Sequence, residues 1–129
     1  MHVFPKFLKM NLTNLKFDYK YFDVTFSNGV LEHFSDKEIV DIINQELRIS
    51  KIVVASVPSD YFSDKDKIYG NERFLNYSYW INLINNTTGV IIQSFGFDFR
   101  KKWEKIFYYA FKPKLIKKAP FIGFVIKSK

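Results

Sequence analysis

Apolar and polar positions recur with two different periods along this chain, and the changes of period mark its elements. Residues 21–27, Tyr-Phe-Asp-Val-Thr-Phe-Ser, form a short run rich in aromatic and β-branched side chains. It stops at Asn28-Gly29, a turn pair, and so predicts a buried strand. After Val30-Leu31-Glu32-His33-Phe34 comes Ser35, with Glu38 three positions on. That spacing is a capping box, in which each side chain satisfies a free backbone N–H at a helix start. The helix it opens carries Ile39, Ile42, Ile43 and Leu47 on one face, and leaves Asp36, Lys37, Asp41, Asn44 and Gln45 to the others. Residues 51–57, Lys-Ile-Val-Val-Ala-Ser-Val, read as a second buried strand ended by Pro58. Strand, capped amphipathic helix and uniformly apolar strand make the βαβ unit of a parallel sheet, with helices expected on both faces.

The rest of the chain extends the same pattern. Residues 6–10 have the composition of a short strand, and residues 59–75 that of a polar loop. Asn76 is placed to cap a second helix with Tyr77, Trp80, Ile81 and Ile84 facing inward, terminated by Asn86-Thr87-Thr88-Gly89. Residues 90–97 and 121–126 read as a third and a fourth strand. No internal repeat or low-complexity segment interrupts the pattern.

Composition narrows the class. A chain of 129 residues, 47 % hydrophobic and 26 % charged, is one globular domain's worth rather than a disordered segment. With 15 Phe and 8 Tyr there is ample material for a core. The absence of cysteine excludes a disulfide scaffold, a thiolate metal site and a cysteine nucleophile. No apolar run approaches the roughly 20 residues of a membrane span. The opening Met1-His2-Val3-Phe4-Pro5-Lys6 lacks the apolar stretch of a signal peptide, so a cytoplasmic chain is the expectation. The net charge of +7 is not spread evenly: residues 100–129 hold ten Lys or Arg against one acid, Glu104. Basicity is therefore a feature of one segment and not of the whole surface.

The contiguous string Phe22-Asp23-Val24-Thr25-Phe26-Ser27-Asn28-Gly29-Val30-Leu31-Glu32-His33-Phe34 resembles the fourth strand and following loop of class I S-adenosylmethionine-dependent methyltransferases, in particular their type 11 subgroup. The likeness continues through the helix, Arg48-Ile49-Ser50, the strand over 51–57 and Val57-Pro58, and covers most of residues 6–129. It implies an α/β fold, the C-terminal part of a doubly wound, mostly parallel Rossmann-like sheet that ends in an antiparallel strand pair. It implies S-adenosylmethionine as cofactor, methyl transfer to a small-molecule acceptor as activity, and one partial methyltransferase domain over residues 1–129. What is missing is equally plain. The family's first strand ends in a Gly-rich turn and its second in an acid that holds the ribose hydroxyls. The five glycines here, at positions 29, 70, 89, 96 and 123, form no G-x-G pattern. The family's lost strands lie between its third and fourth, so residues 6–10 are left without a strand to pair with. The resemblance thus implies a chain with little or no activity by itself. Two arrangements would complete it: a first half encoded just upstream, or a separate chain that supplies that half.

By the same resemblance, Asn28 and Gly29 face the methionine part of the cofactor, and Asn11 and Leu12 take the place of the family's adenine contact. Asn11 stands where an acid is usual, and its amide oxygen can accept the same hydrogen bond without the charge. His33, one of two histidines, is the candidate general base. Ser59, Asp60 and Tyr61 fall where the family lines its acceptor pocket. Asp60, Asp64 and Asp66 lack a His partner and the spacing of a calcium loop, so no metal site is expected. The basic aromatic segment over 100–118 admits three readings, taken in this order: an amphipathic connection on the sheet edge, a contact with an anionic membrane surface, and a contact with nucleic-acid phosphates. The latter two define the alternative function, a non-catalytic binding module built on a methyltransferase scaffold.

Overall fold

A computed structural model of the chain describes residues 4–100, 102–105 and 116–129. Strand β1 (Phe22–Asn28) leads through a 3-10 turn at Leu31–His33 into helix α1 (Asp36–Ile49) and strand β2 (Ser50–Pro58). Helix α2 (Tyr77–Asn85), strand β3 (Gly89–Phe97) and strand β4 (Phe121–Ser128) follow. The four strands form one sheet in the order β1-β2-β4-β3. β1 and β2 are parallel, in a register that pairs Val24 with Ile52 and Asn28 with Ser56. β4 runs antiparallel to both β2 and β3, so it is inserted between two strands made earlier in the chain.

Local chemistry fixes both helices. The Ser35 backbone N–H donates to Glu38 Oε2 at 2.9 Å, and the Glu38 N–H donates back to Ser35 Oγ at 3.4 Å, which completes the capping box. Asn76 caps α2 by accepting from the Tyr79 N–H at 2.9 Å. Ile39, Ile42, Ile43 and Leu47 of α1 and Trp80, Leu83 and Ile84 of α2 are buried in one cluster with Val53, Ala55, Val57, Ile122, Phe124 and Ile126 of the sheet. Tyr77 and Ile81 pack against its margin.

Three expectations are corrected here. Among the described residues, α1 and α2 both lie on one face of the sheet rather than one on each. The crossovers from β1 to β2 and from β2 to β3 run in the same direction across the sheet, and right-handed connections of one direction deposit their helices on one side. Second, β1 is not a buried strand: on the uncovered face Val24 is 52 % and Phe26 67 % exposed. Third, residues 6–10 form no strand. Backbone groups need a partner to make a ladder, and among the described residues nothing pairs with the outer edge of β1.

The C-terminal end of α1 is closed by Lys20, which sits at a positive φ of 52°. Its ammonium donates to the carbonyls of Leu47 at 2.7 Å and Ser50 at 2.9 Å and to Ser128 Oγ at 2.8 Å. A cation here meets both the unpaired carbonyls and the negative end of the helix. Lys20→Met is expected to cost about 2–3 kcal/mol, since hydrogen bonds to a charged group are worth about 1.5–3 kcal/mol. Urea unfolding followed by circular dichroism measures it; a loss below about 0.5 kcal/mol would show these bonds exchanging freely with water.

Candidate functional site

The C-terminal ends of β1 and β2 open onto a cavity of about 460 Å3. At its floor the chain turns out of β1 at Gly29, whose φ of +65° suits glycine. The Gly29 N–H donates to the Ser56 carbonyl at 3.2 Å, and Asn28 Oδ1 accepts from Ser56 Oγ, so the turn is tied to β2. The 3-10 turn that follows sends Leu31 into the core and sets Glu32 and His33 on the cavity wall. Pro58 and Phe62, at the end of β2 and just beyond it, form a second side. Tyr69 and Glu72 from the long loop close a third.

Arg73 fastens that loop to the turn. Its backbone N–H donates to the Glu32 carbonyl at 2.9 Å, and its guanidinium donates to the Phe34 carbonyl at 2.8 Å and to Asp36 Oδ1 at 2.6 Å. The Tyr79 hydroxyl donates to the other Asp36 oxygen at 2.6 Å. The Tyr79 hydrogen bond, and then that of Arg73, hold the Asp36 carboxyl below the usual carboxylate range. The start of α1, the loop and the start of α2 are thereby clamped together, and Glu32 and Glu72 face the same space.

These two carboxylates differ in their surroundings. Glu72 is 7 % exposed and accepts from the N–H groups of Ile68 and Tyr69, both at 2.8 Å. Burial pushes its carboxyl up, but the backbone N–H groups of Tyr69, Glu72, Ile68 and Gly70 outweigh burial and hold it at about 2. Glu32 is 5 % exposed, and burial raises its carboxyl, with the charge of Glu72 adding to the rise. The Oε2 atom of each has no hydrogen-bond partner among the described residues. His33 Nδ1 pairs with Asn71 Oδ1 at 2.8 Å, and its Nε2 lies 3.9 Å from Glu32 Oε1.

The residues singled out from the sequence divide between this site and elsewhere. Gly29 and His33 line the cavity, and Asn28 lies directly beneath it with its side chain engaged by Ser56. Ser59, Asp60 and Tyr61 are not on the wall, although their neighbours Pro58 and Phe62 are. Ser59 is fully buried: its hydroxyl donates to the Ala119 carbonyl and its N–H to that of Pro120, which fastens the end of β2 to the start of β4. Asp60 and Tyr61 are exposed. The structure does not bring Asn11 and Leu12 to Gly29. Leu12 shares a separate cavity with Tyr21 and Phe22 at the opposite end of β1, a seven-residue strand spanning roughly 20 Å. The Asn11 side-chain oxygen accepts from the N–H and hydroxyl of Thr13. Of the segment over 100–118, Arg100 reaches the cavity, while Lys101 and residues 106–115 lie outside the described residues. Among the described residues no three His, Asp or Glu side chains converge in a way that would hold a metal, and no helix is long and apolar enough to cross a membrane.

The sequence pattern does not single out Glu32 or Glu72. Glu32 precedes His33 and carries no motif of its own. For Glu72 the signal was Gly70-Asn71 just before it: Gly70 adopts a φ of +84° and turns the loop so that successive N–H groups converge on the carboxylate.

No protein-family model matches the chain, and no curated protein is recognisably similar to it. Solved structures do match. An S-adenosylmethionine-dependent methyltransferase of Thermotoga maritima, described as a possible histamine N-methyltransferase, superposes with a TM-score of 0.67 at 13 % identity, over 95 % of this chain and 63 % of that one. Magnesium protoporphyrin IX methyltransferase of Synechocystis with bound S-adenosylhomocysteine gives 0.62 at 13 % identity, over 97 % and 52 %. The fold is that of the S-adenosylmethionine-dependent methyltransferases. Geranyl diphosphate C-methyltransferase of Streptomyces coelicolor gives 0.58 at 11 % identity, over 93 % of this chain and 50 % of that one. The methyltransferase fold is thus present in part: the chain spans between half and two thirds of the length of these three structures.

Proposed function

We propose that the chain contributes to S-adenosylmethionine-dependent methyl transfer to a small-molecule acceptor, in the manner of the type 11 subgroup, with the cavity above β1 and β2 as the site. The observation that carries this reading is the placement of Gly29, His33 and Glu32 around one cavity at the carboxyl ends of two parallel strands, where open α/β sheets take their ligands. The residues fit the methionine end of the cofactor. Gly29 takes a φ of +65°, and a Cβ there would already touch Glu32 Oε1 at 3.4 Å, so glycine suits both the turn and the close approach of that carboxylate. The adenosine end finds no counterpart among the described residues: the five glycines form no G-x-G pattern, and the acid that follows a strand end, Asp98 after β3, is paired with Arg100 at 3.1 Å. When bound, the cofactor supplies the methyl group. The chain's part is to orient the acceptor and to take a proton at His33, whose ring is held by Asn71.

Without an adenosine site the chain alone binds cofactor weakly and turns over negligibly, and a chain that supplies the missing half completes it. A titration with S-adenosylhomocysteine followed by NMR chemical shifts tests this. The expected result is one-to-one binding with a Kd on the order of 1 mM, equivalent to about 4 kcal/mol, lost in Gly29→Val. No shift at millimolar ligand would remove the cofactor from this site. A micromolar Kd would show that the chain holds the adenosine as well.

A further inference from the structure

We infer that the cavity binds an organic ammonium ion, held between the carboxylates of Glu32 and Glu72 and walled by the rings of Phe62, Tyr69, Phe74 and Phe121. The acceptor of the proposed reaction is then a small molecule that carries a protonated amine. This deepens the preceding reading, since it names the substrate class of that site; it describes how the acceptor is recognised, not which of its atoms is methylated.

A buried carboxylate oxygen without a hydrogen-bond donor loses the water it held and gains nothing in return. Here there are two, Glu32 Oε2 and Glu72 Oε2, on residues more than nine-tenths buried. Both residues line the same cavity and come from different segments, and their charges repel one another. Glu72 stays ionised, because the backbone N–H groups around it stabilise its charge. Its loop is held against Glu32 by Arg73, so the pair cannot relax apart without breaking three hydrogen bonds. A cation between them supplies the missing donors and removes the repulsion.

The remaining wall decides which cation. A metal ion would need more oxygen or nitrogen ligands than converge here among the described residues. Four aromatic rings instead line the space. Aromatic faces attract organic ammonium groups through their negative quadrupole and shelter the attached hydrocarbon at the same time. Asp66 adds a third acid to the wall, with one oxygen accepting from the Ser63 N–H at 2.8 Å. The one cation on the wall among the described residues, Arg100, is paired with Asp98 at 3.1 Å and lies 5.9 Å from the centre of the Phe62 ring. It shows that this rim already accepts a cation against an aromatic face.

Calorimetric titration of the 129-residue chain with phenethylamine, and with the neutral isostere 2-phenylethanol, tests the inference. Saturable binding of the amine at pH 7, at least tenfold tighter than the alcohol, is expected. Glu32→Gln and Glu72→Gln should each weaken the amine at least tenfold and leave the alcohol unchanged, whereas Asp41→Asn on the exposed face of α1 should change neither. Glutamine at 72 can still accept from Ile68 and Tyr69, and circular dichroism checks that each variant is folded. Equal affinity for amine and alcohol, no binding of the amine, or insensitivity to both glutamate substitutions would each overturn the inference. The titration with S-adenosylhomocysteine reports separately. Amine binding without cofactor binding would keep the ammonium site and remove methyl transfer; cofactor binding without amine binding would do the reverse.

Discussion

Replacing Trp80 by alanine should destabilise the chain by about 3–5 kcal/mol, the range for truncating a large buried aromatic side chain. With a total stability of about 5–15 kcal/mol for a domain, that leaves a large fraction of molecules unfolded at 37 °C. Trp80 is the largest fully buried side chain, 1 % exposed, and it stands where α2 meets the core of α1 and the sheet. Its indole N–H also donates to the Pro58 carbonyl at 3.3 Å, the last residue of β2 and part of the cavity wall. Truncation therefore opens a void and leaves a buried carbonyl without its donor. Trp80→Phe keeps a buried ring, leaves a smaller void and removes the same donor, so a smaller loss of about 1–2 kcal/mol is expected. Urea denaturation followed by far-ultraviolet circular dichroism gives both values. A loss below 2 kcal/mol for alanine would mean that α2 is only loosely attached to the sheet.

The second large effect concerns pH. Glu46 lies on the buried side of α1, 8 % exposed, with Oε2 lacking a hydrogen-bond partner among the described residues. Burial pushes its carboxyl up to about 7, and its place in the last turns of the helix, near the negative end of the dipole, disfavours charge as well. In the unfolded chain the group titrates near its ordinary value of 4.5. Below that value both states hold the proton and Glu46 costs nothing. As the pH rises from about 4.5 to about 7, the unfolded chain releases its proton while the folded chain keeps it, so stability falls. The gap between the two values corresponds to about 3 kcal/mol at 1.36 kcal/mol per pH unit, all of it lost above about 7. Glu46→Gln keeps the shape and removes the titration. It should therefore be about 3 kcal/mol more stable than the parent at pH 8 and equal to it at pH 4. Parallel stability curves over that range would show that Glu46 is solvated in the native state.

Much of the fold was written locally and could be read. The capping box of Ser35 and Glu38, the Asn76 cap and the spacing of Ile39, Ile42, Ile43 and Leu47 depend on neighbours within a turn or two, and each appears where the pattern puts it. The errors arose where the outcome depends on what lies beside a segment. Residues 6–10 have strand composition, but composition supplies no partner for their backbone groups. Val24 and Phe26 are strand residues whose burial is decided by whether a helix crosses above them. For the site, Gly29 and His33 were legible because a turn signal and a rare residue type stand out in one dimension. Glu32 and Glu72 gain their meaning only from facing each other across forty positions of sequence, with Arg73 holding them there. Ser59 shows the converse. It looks like a pocket residue by position, yet its hydroxyl and backbone N–H are consumed in holding β2 to the residues before β4.

The insertion of β4 between β2 and β3 also governs the order in which the molecule can be assembled. During synthesis β1, α1 and β2 emerge as a local unit able to pair at once. β3 then leaves the ribosome with no strand to join, because β4, its one neighbour among the described residues, is not yet made. Pro58 must wait for Phe121 to form the seam between β2 and β4, so that seam closes a loop of long sequence separation. Closing such a loop costs entropy before any contact repays it, and folding is slowed accordingly. The half-built sheet, with β3 and its Val90 and Ile92 side chains idle, is the stage at which this chain is most open to capture by chaperones.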